Sequence, residues 1–459
     1  MEHGKALAAF SATVNWRDLP SALREKVVDH VLDAIGVMYS GIGIEDCVSA
    51  RRAASLWGEG DDAAVIGTSL RLPAPSAAFI NALHGRIHTF DDTYEPGTLH
   101  TGTPVVAAAL ALADKHELDG ETFLSAVIAG YEVAVRVAAA VSPSHYAAGF
   151  HNTGTCAVFG AAAAASRLLK LGPVETVEAF GLAGATAAGL RQHQIDGSML
   201  DSAFHGARSA QSGVMVAQLR AQGVRGPAAI LEGSLGFCAV MARERNLDRL
   251  VDGLGKDYEF AKITIKLYPM CRFAHGPIEA ALELKRKYAI DPASIKDITV
   301  ATFKQSIDVS DRPRLNASFD AVVSHQYAVS LAIVKEKVEL ADIVNYKSGD
   351  ARALALMQKV RVVHDTALEA DFPRAWPHRV TVSMQNGQTY SLLSEYPPGR
   401  VAPIPRAAVD AKFLSQCAPA LGTQRAQAAL QTLRGISDVK NVRALGAVLA
   451  HANAKPFHA

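Results

Sequence analysis

Side chains able to move protons or hold anions are gathered in polar stretches set between alanine-rich apolar runs. The first stretch runs from His84 to Pro104 and carries His84, His88, Asp91, Asp92, Glu95 and His100 among glycines and prolines. A polar, turn-rich segment between apolar helices is costly unless it lines a cleft or meets solvent, because buried polar groups must be paired. It therefore reads as the floor of an active site. His88 abuts Asp91 and Asp92 and is the better pocket candidate, whereas His84 reads as a hydrogen-bonded packing histidine. The spacing of four between them also suits a metal, but HxxxH alone is weak evidence and Asp91-Asp92 lacks the partner ligands of a magnesium site. No metal is expected.

A second stretch, Ser142 to Gly160, contains His151 just before a small-residue helix, where Thr153 or Thr155 could serve as cap. His151 is a pocket candidate, and Cys156, with no base beside it, reads as a buried thiol. The third stretch, Arg191 to Gln211, offers Arg191 and Arg208 as carboxylate clamps, since a guanidinium presents a planar fork of donors; a helix-flanking role fits each equally well. Three polar islands converging from distant parts of a chain would build a deep pocket. There is no GxGxxG after a strand, no phosphate-binding loop and no GxSxG elbow, which disfavours nucleotide, phosphoryl-transfer and serine-hydrolase chemistry.

The positioning elements follow from periodicity. Helices are expected over 19–41, Ser76 to Ile87, Pro104 to Ala113, Glu121 to Val141, Ala161 to Leu169 and Val174 to Gly189, with Glu132 and Arg136 an i,i+4 pair in the fourth of these. Beyond Leu254 the pattern changes. Strand-like alternation marks Ile298 to Phe303, Lys359 to His364, Arg379 to Met384 and Gln388 to Leu393, the last after an Asn386-Gly387 turn. Helices fall near Asp320 to Lys335 and Asp350 to Gln358, then again from Arg406 to Ala450. The expectation is a mainly α protein: a helical domain over 1–265, an α+β domain over 266–402, and C-terminal helices over 403–459 that rejoin the first domain.

With 459 residues, 46 basic against 45 acidic side chains and a net charge of +1, the chain can bury a large core but carries no field that would gather nucleic acid. Its five cysteines are isolated, so neither a zinc ribbon nor a disulfide scaffold is indicated. No free-standing membrane span and no secretory leader is evident, and a cytoplasmic protein without membrane partners is expected.

These residues resemble the MmgE/PrpD family over nearly the whole chain. The resemblance is carried by Pro75 to Asn81, Phe90-Asp91-Asp92-Thr93, Gly130 to Val133, Phe150-His151-Asn152-Thr153-Gly154, Phe204-His205 through Gln211, Tyr268 to His275, Ser324 to Tyr327, Tyr396 to Gly399 and Lys412-Phe413. It implies a large helical domain formed by both chain ends, a smaller α+β lid, a homodimer, no organic cofactor, and a site between the domains for a small di- or tricarboxylate. It further implies a cofactor-independent lyase of the 2-methylcitrate dehydratase type, with a dicarboxylate epimerase, a cis-aconitate decarboxylase-like enzyme or a catalytically weak carboxylate binder as alternatives.

On that resemblance His151 or His275 takes the proton alpha to a carboxylate, Tyr327 or His100 protonates the departing hydroxyl, and Asp91 and Asp92 orient histidines or polarise a water. His88, Arg191, His205, Arg208, Lys266 and Arg272 bind substrate. Two positions depart from the family pattern. Thr89 stands where an aspartate is common, and Asp201 or Ser202 replaces a lysine, for which Arg191, Arg208, Lys266 or Arg272 could compensate.

Overall fold

The computed structural model describes residues 2–450, apart from the side chain of Asp201. Two apolar cores organise it. The first draws on residues 7–265 and 409–449, and the second on residues 270–384 together with Met199. The last nine residues of the expected C-terminal segment lie outside the described part.

Small residues let the helices of the first core approach closely. Helix Gly120–Val141 crosses Ala157–Leu168 at Gly130 and Gly160, where a Cβ on Gly160 would lie 2.5 Å from the Gly130 carbonyl oxygen. Any side chain there would push the pair apart. The same long helix is the most apolar of the fold and is packed almost wholly inside it. Its Glu132 and Arg136 form an internal pair, Nε to Oε1 2.7 Å, and Glu132 also accepts from the amides of Glu259 and Phe260. Helix Ala74–Arg86 packs between Ser21–Met38, Gly102–Lys115 and Met199–Ala221, and Arg406–Leu421 returns to cover Ser21–Met38.

The second core lies under a four-stranded sheet in the order Val360–His364, Ile295–Thr302, His378–Met384, Thr389–Ser394. The first pair is parallel and the other two are antiparallel. Val380 and Val382 alternate with more exposed neighbours, so one face is buried, against helix Arg272–Tyr288.

Element boundaries differ from the sequence expectation where capping intervenes. The helix expected over Asp320 to Lys335 is two helices, Ser318–Val323 and His325–Lys335. Ser324 leaves helical geometry and its hydroxyl accepts from the Tyr327 amide, starting a new helix. The end of the helical stretch expected from Arg406 to Ala450 is reduced to a short turn at Ile436–Asp438 and the helix Arg443–Leu449. Neither Thr153 nor Thr155 caps Ala157–Leu168. His151 itself occupies the cap position before the one-turn helix Asn152–Thr155, while the hydroxyl of Thr155 bonds to His145.

Candidate active site

Helix Ala74–Arg86 ends at Arg86, and the chain then crosses to a two-residue strand, Thr93–Tyr94, paired antiparallel with Ile263–Thr264. The register sets Thr93 opposite Thr264, which carries Lys266 back over the turn at Thr89. Thr89 holds left-handed backbone, φ 53°, and its carbonyl accepts from the Lys266 ammonium. A second junction is a single bridge, Phe150 to Leu190, with the His151 amide donating to the Gly189 carbonyl at 3.0 Å. It brings His151 beside His193. Gly154 permits the approach, since a Cβ there would stand 2.4 Å from the Ala188 carbonyl oxygen.

Between the two cores lies a cleft. One side carries Arg86, His100, His151, His193, Ser202 and Lys266, with Arg272 nearby; the other is apolar, from Phe273, Val309, Phe319, Val322, Val323 and Trp376. Among the described residues its wall includes no Asp or Glu. Cations and imidazoles facing a low-dielectric wall, with no carboxylate between them, make a site for an anion.

The acids lie underneath. Asp91 is fully buried, accepts from Arg86 Nη1 at 2.6 Å and from Thr103 Oγ1 at 3.1 Å. Asp92 accepts from His30 at 2.8 Å, from the Gly102 amide at 2.7 Å and from the Tyr131 hydroxyl at 3.2 Å. Asp33 pairs with Lys412 at 2.5 Å. Asp91 therefore steers an arginine, and the histidine that the Asp92 carboxylate holds is His30, off the cleft. His30 and Asp33 are both buried in this network.

Arg86 directs Nη2 to Ser202 Oγ at 3.1 Å, while its buried Nε finds no hydrogen-bond partner among the described residues. A carboxylate oxygen would satisfy it. Burial lowers Lys266 to about 7, so its amine changes charge near neutral pH. His100 places Nδ1 2.9 Å from the Asp92 carbonyl oxygen, which can only accept. The proton sits on Nδ1 and the lone pair on Nε2. Burial, then the charges of Arg86 and Lys266, hold His100 far below the usual histidine range, so the ring is a neutral proton acceptor. His151 is held down in the same direction by burial and by His193 and His205.

Of the remaining predicted residues, Arg272 alone reaches this wall. His275 is fully buried behind Arg272, whose Nη1 lies 3.4 Å from its Nδ1, and stacks edge-on against Tyr268. Tyr327 lies within the second core, its hydroxyl donating to the Asp342 carbonyl at 3.0 Å and pushed up to about 12 by burial. Arg272 reaches the cleft but is bound to Glu95 at 2.8 Å and to the Pro398 carbonyl at 2.6 Å. Arg191 stacks on Tyr146 with its guanidinium carbon 3.7 Å from the ring centroid, and bonds the Tyr146 carbonyl. Arg208 ties down the carbonyls of Thr186, Gly154 and Ala188. His88 faces the Ser40 carbonyl at 3.3 Å, away from the cleft, and His205 stands beside His151 with their Nδ1 atoms 2.8 Å apart.

Arg86, Ser202 and His193 were not singled out from sequence. Arg86 and His193 lie inside the polar islands, but nothing in their local spacing shows which way they face. In the sequence Ser202 marks only a place where a lysine is missing, and the structure fills that place with a hydroxyl bonded to Arg86.

A two-core, mainly helical protein with a cationic, histidine-rich cleft at the junction is the class defined so far. The MmgE/PrpD N-terminal domain matches residues 5–250 and the MmgE/PrpD C-terminal domain matches residues 268–436, and the chain belongs to that family. Its relatives include the cis-aconitate decarboxylase of Aspergillus terreus, 26% identical over 86% of this chain and 85% of the relative. They also include the human cis-aconitate decarboxylase, 22% identical over 91% of this chain and 88% of the relative. The 2-methylcitrate dehydratase of Cupriavidus necator is 26% identical over 73% of each.

Proposed function

We propose that the chain is a lyase that removes a proton alpha to a carboxylate in a small hydroxy- or unsaturated di- or tricarboxylate. The observation that carries this reading is the cleft wall, with Arg86, Lys266 and three imidazoles and without Asp or Glu among the described residues. Arg86 Nε anchors one carboxylate in an orientation already fixed by Asp91 and Ser202. Neutral His100 accepts the alpha proton through Nε2, and the Lys266 ammonium stabilises the charge that develops on the carboxylate. Loss of a beta hydroxyl, which receives the proton that His100 has taken, then gives the unsaturated acid and water. His275 acts from behind Arg272 as a positioning residue.

Decarboxylation is the second reading. It is supported by the relatives named for that reaction and by the apolar half of the wall, against which a carboxylate is poorly solvated. An epimerase would use the same groups without loss of water or carbon dioxide. The protein is further proposed to act as a homodimer in the cytoplasm, without an organic cofactor. The exposed stripe of Phe204, Met215 and Leu219 on helix Met199–Ala221 supports self-association.

Incubation of the purified protein with hydroxy- and unsaturated polycarboxylates, followed by ultraviolet absorbance for a new double bond and by carbon dioxide capture, tests the reading. A new alkene without carbon dioxide is the expected result. Carbon dioxide release moves the assignment to decarboxylation, and neither signal with any acid of the panel counts against a lyase.

A further inference from the structure

Three histidines from separate elements meet at one edge of the cleft. His151 precedes Asn152–Thr155, His193 opens the short helix His193–Asp196, and His205 lies in the first half of Met199–Ala221. Their ring centroids form a triangle with sides of 5.0, 5.1 and 5.4 Å, and one ring nitrogen of each lies within 4.8 Å of the other two. Three imidazoles on one tetrahedral ion, with metal–nitrogen bonds of about 2.0–2.1 Å, hold their centroids about 5 Å apart and their nitrogens about 3.3 Å apart. The rings already have the spacing of ligands, and a shift of about 1 Å per nitrogen completes the set.

Two further features fit an ion. The His193 Nδ1 lies 3.0 Å from the Leu190 carbonyl oxygen, an acceptor only, so Nδ1 carries the proton and the lone pair stays on Nε2. Fixing the tautomer through a backbone carbonyl is the usual support of a ligating histidine. His151 and His205 face each other through Nδ1 atoms 2.8 Å apart with one proton between them. An ion placed there replaces that proton, which moves to an Nε2, and both rings stay neutral.

We propose that His151, His193 and His205 form a three-imidazole site for a divalent transition-metal ion of zinc's class, with its fourth position on the cleft side and filled by water or a carboxylate oxygen. Imidazole donors without carboxylates favour Zn²⁺, Co²⁺ or Ni²⁺ over Mg²⁺ and Ca²⁺. His151 and His193 both line the cleft, which gives the fourth ligand its access. Arg86 stands close enough to act on His151 and His205 electrostatically, so an anion in the fourth position offsets the accumulated positive charge. A bound ion takes the lone pair of His151 and withdraws that ring from proton transfer, leaving His100 and Lys266 in place.

Metal-stripped full-length protein titrated with Co²⁺ reads the site without any assay of turnover. One Co²⁺ per chain is expected, with the visible bands of a four- or five-coordinate ion, displacement by Zn²⁺, and affinity lower by more than about tenfold in His193→Ala. His193→Gln is a second variant of closer size, and thermal melts in metal-free buffer check that each is folded. Crystals soaked in Zn²⁺ should show an anomalous peak between the three rings. Wild-type protein that takes up neither ion stoichiometrically, a peak elsewhere, or uptake unchanged in a folded His193 variant would overturn the proposal and leave a proton-sharing His151–His205 pair.

Discussion

Arg86 points Nη1 at Asp91 and Nη2 at Ser202, so its orientation is set before a ligand arrives and Nε is the donor left to match. A hydrogen bond to a charged group contributes roughly 1.5–3 kcal/mol. Arg86→Gln should therefore lower kcat/KM by on the order of 10–100-fold, chiefly through KM, in steady-state kinetics on the folded variant. Lys266 differs because burial depresses its amine to about 7. As a cation that steadies the substrate it is active below that value, so kcat/KM should fall as pH rises through about 7. Lys266→Arg should move that alkaline limb upward, and an unmoved limb would assign it to another group. Stability runs in the opposite sense. The unfolded amine titrates near 10.5, so between about 7 and 10.5 the unfolded chain binds the extra proton and the cost of burying Lys266 is relieved as pH rises. Of the site residues expected from sequence, His100, His151, Lys266 and Arg272 reach the cleft wall, whereas Tyr327 and His275 are held inside by the Asp342 carbonyl and by Arg272. Residue type marks a group as capable of chemistry; the direction it faces depends on partners far along the chain.

At the scale of elements, the site rests on two small strand contacts and on a buried ionic layer. The Thr93–Thr264 register carries Lys266 to Thr89, and the Phe150–Leu190 bridge carries His193 to His151. Neither contact has a sequence signature, since a two-residue strand is too short to show alternation. The longer elements were legible: apolar spacing located Ala74–Arg86 and Gly120–Val141, and alternation located His378–Met384. The break at Ser324 was missed because a serine cap in an apolar run is indistinguishable from a tolerated helical serine until its hydroxyl meets the Tyr327 amide. Lys412, on the returning C-terminal helix, is buried against Asp33 and donates to the Phe90 carbonyl at 2.7 Å. Burial pushes the carboxyl of Asp33 up and the amine of Lys412 down, and their attraction opposes both shifts. Lys412→Ala would strand the carboxylate and should cost about 3–5 kcal/mol, seen as a lower denaturation midpoint in urea.

For the whole molecule, one core supplies charge and the other an apolar wall, and the cleft exists only where both are present. The mainly α class was legible from the dominance of 3.6-residue spacing and the change of pattern beyond Leu254. The cleft was legible only as an expectation that polar islands converge. The exposed Phe204, Met215 and Leu219, eleven and four residues apart, share one helical face. Light scattering should give the mass of two chains, and Met215→Glu should shift it toward one.

The central claim is that His100 takes a proton alpha to a carboxylate held by Arg86. Proton NMR in deuterated buffer, over a panel of hydroxy- and unsaturated polycarboxylates, tests it most directly because exchange is seen even when the product is unknown. The account predicts loss of an alpha-proton signal or a new vinyl signal with at least one acid, abolished in folded His100→Gln and reduced about 10–100-fold in Arg86→Gln. Exchange that persists undiminished in His100→Gln, or no exchange and no product across the panel, would contradict it.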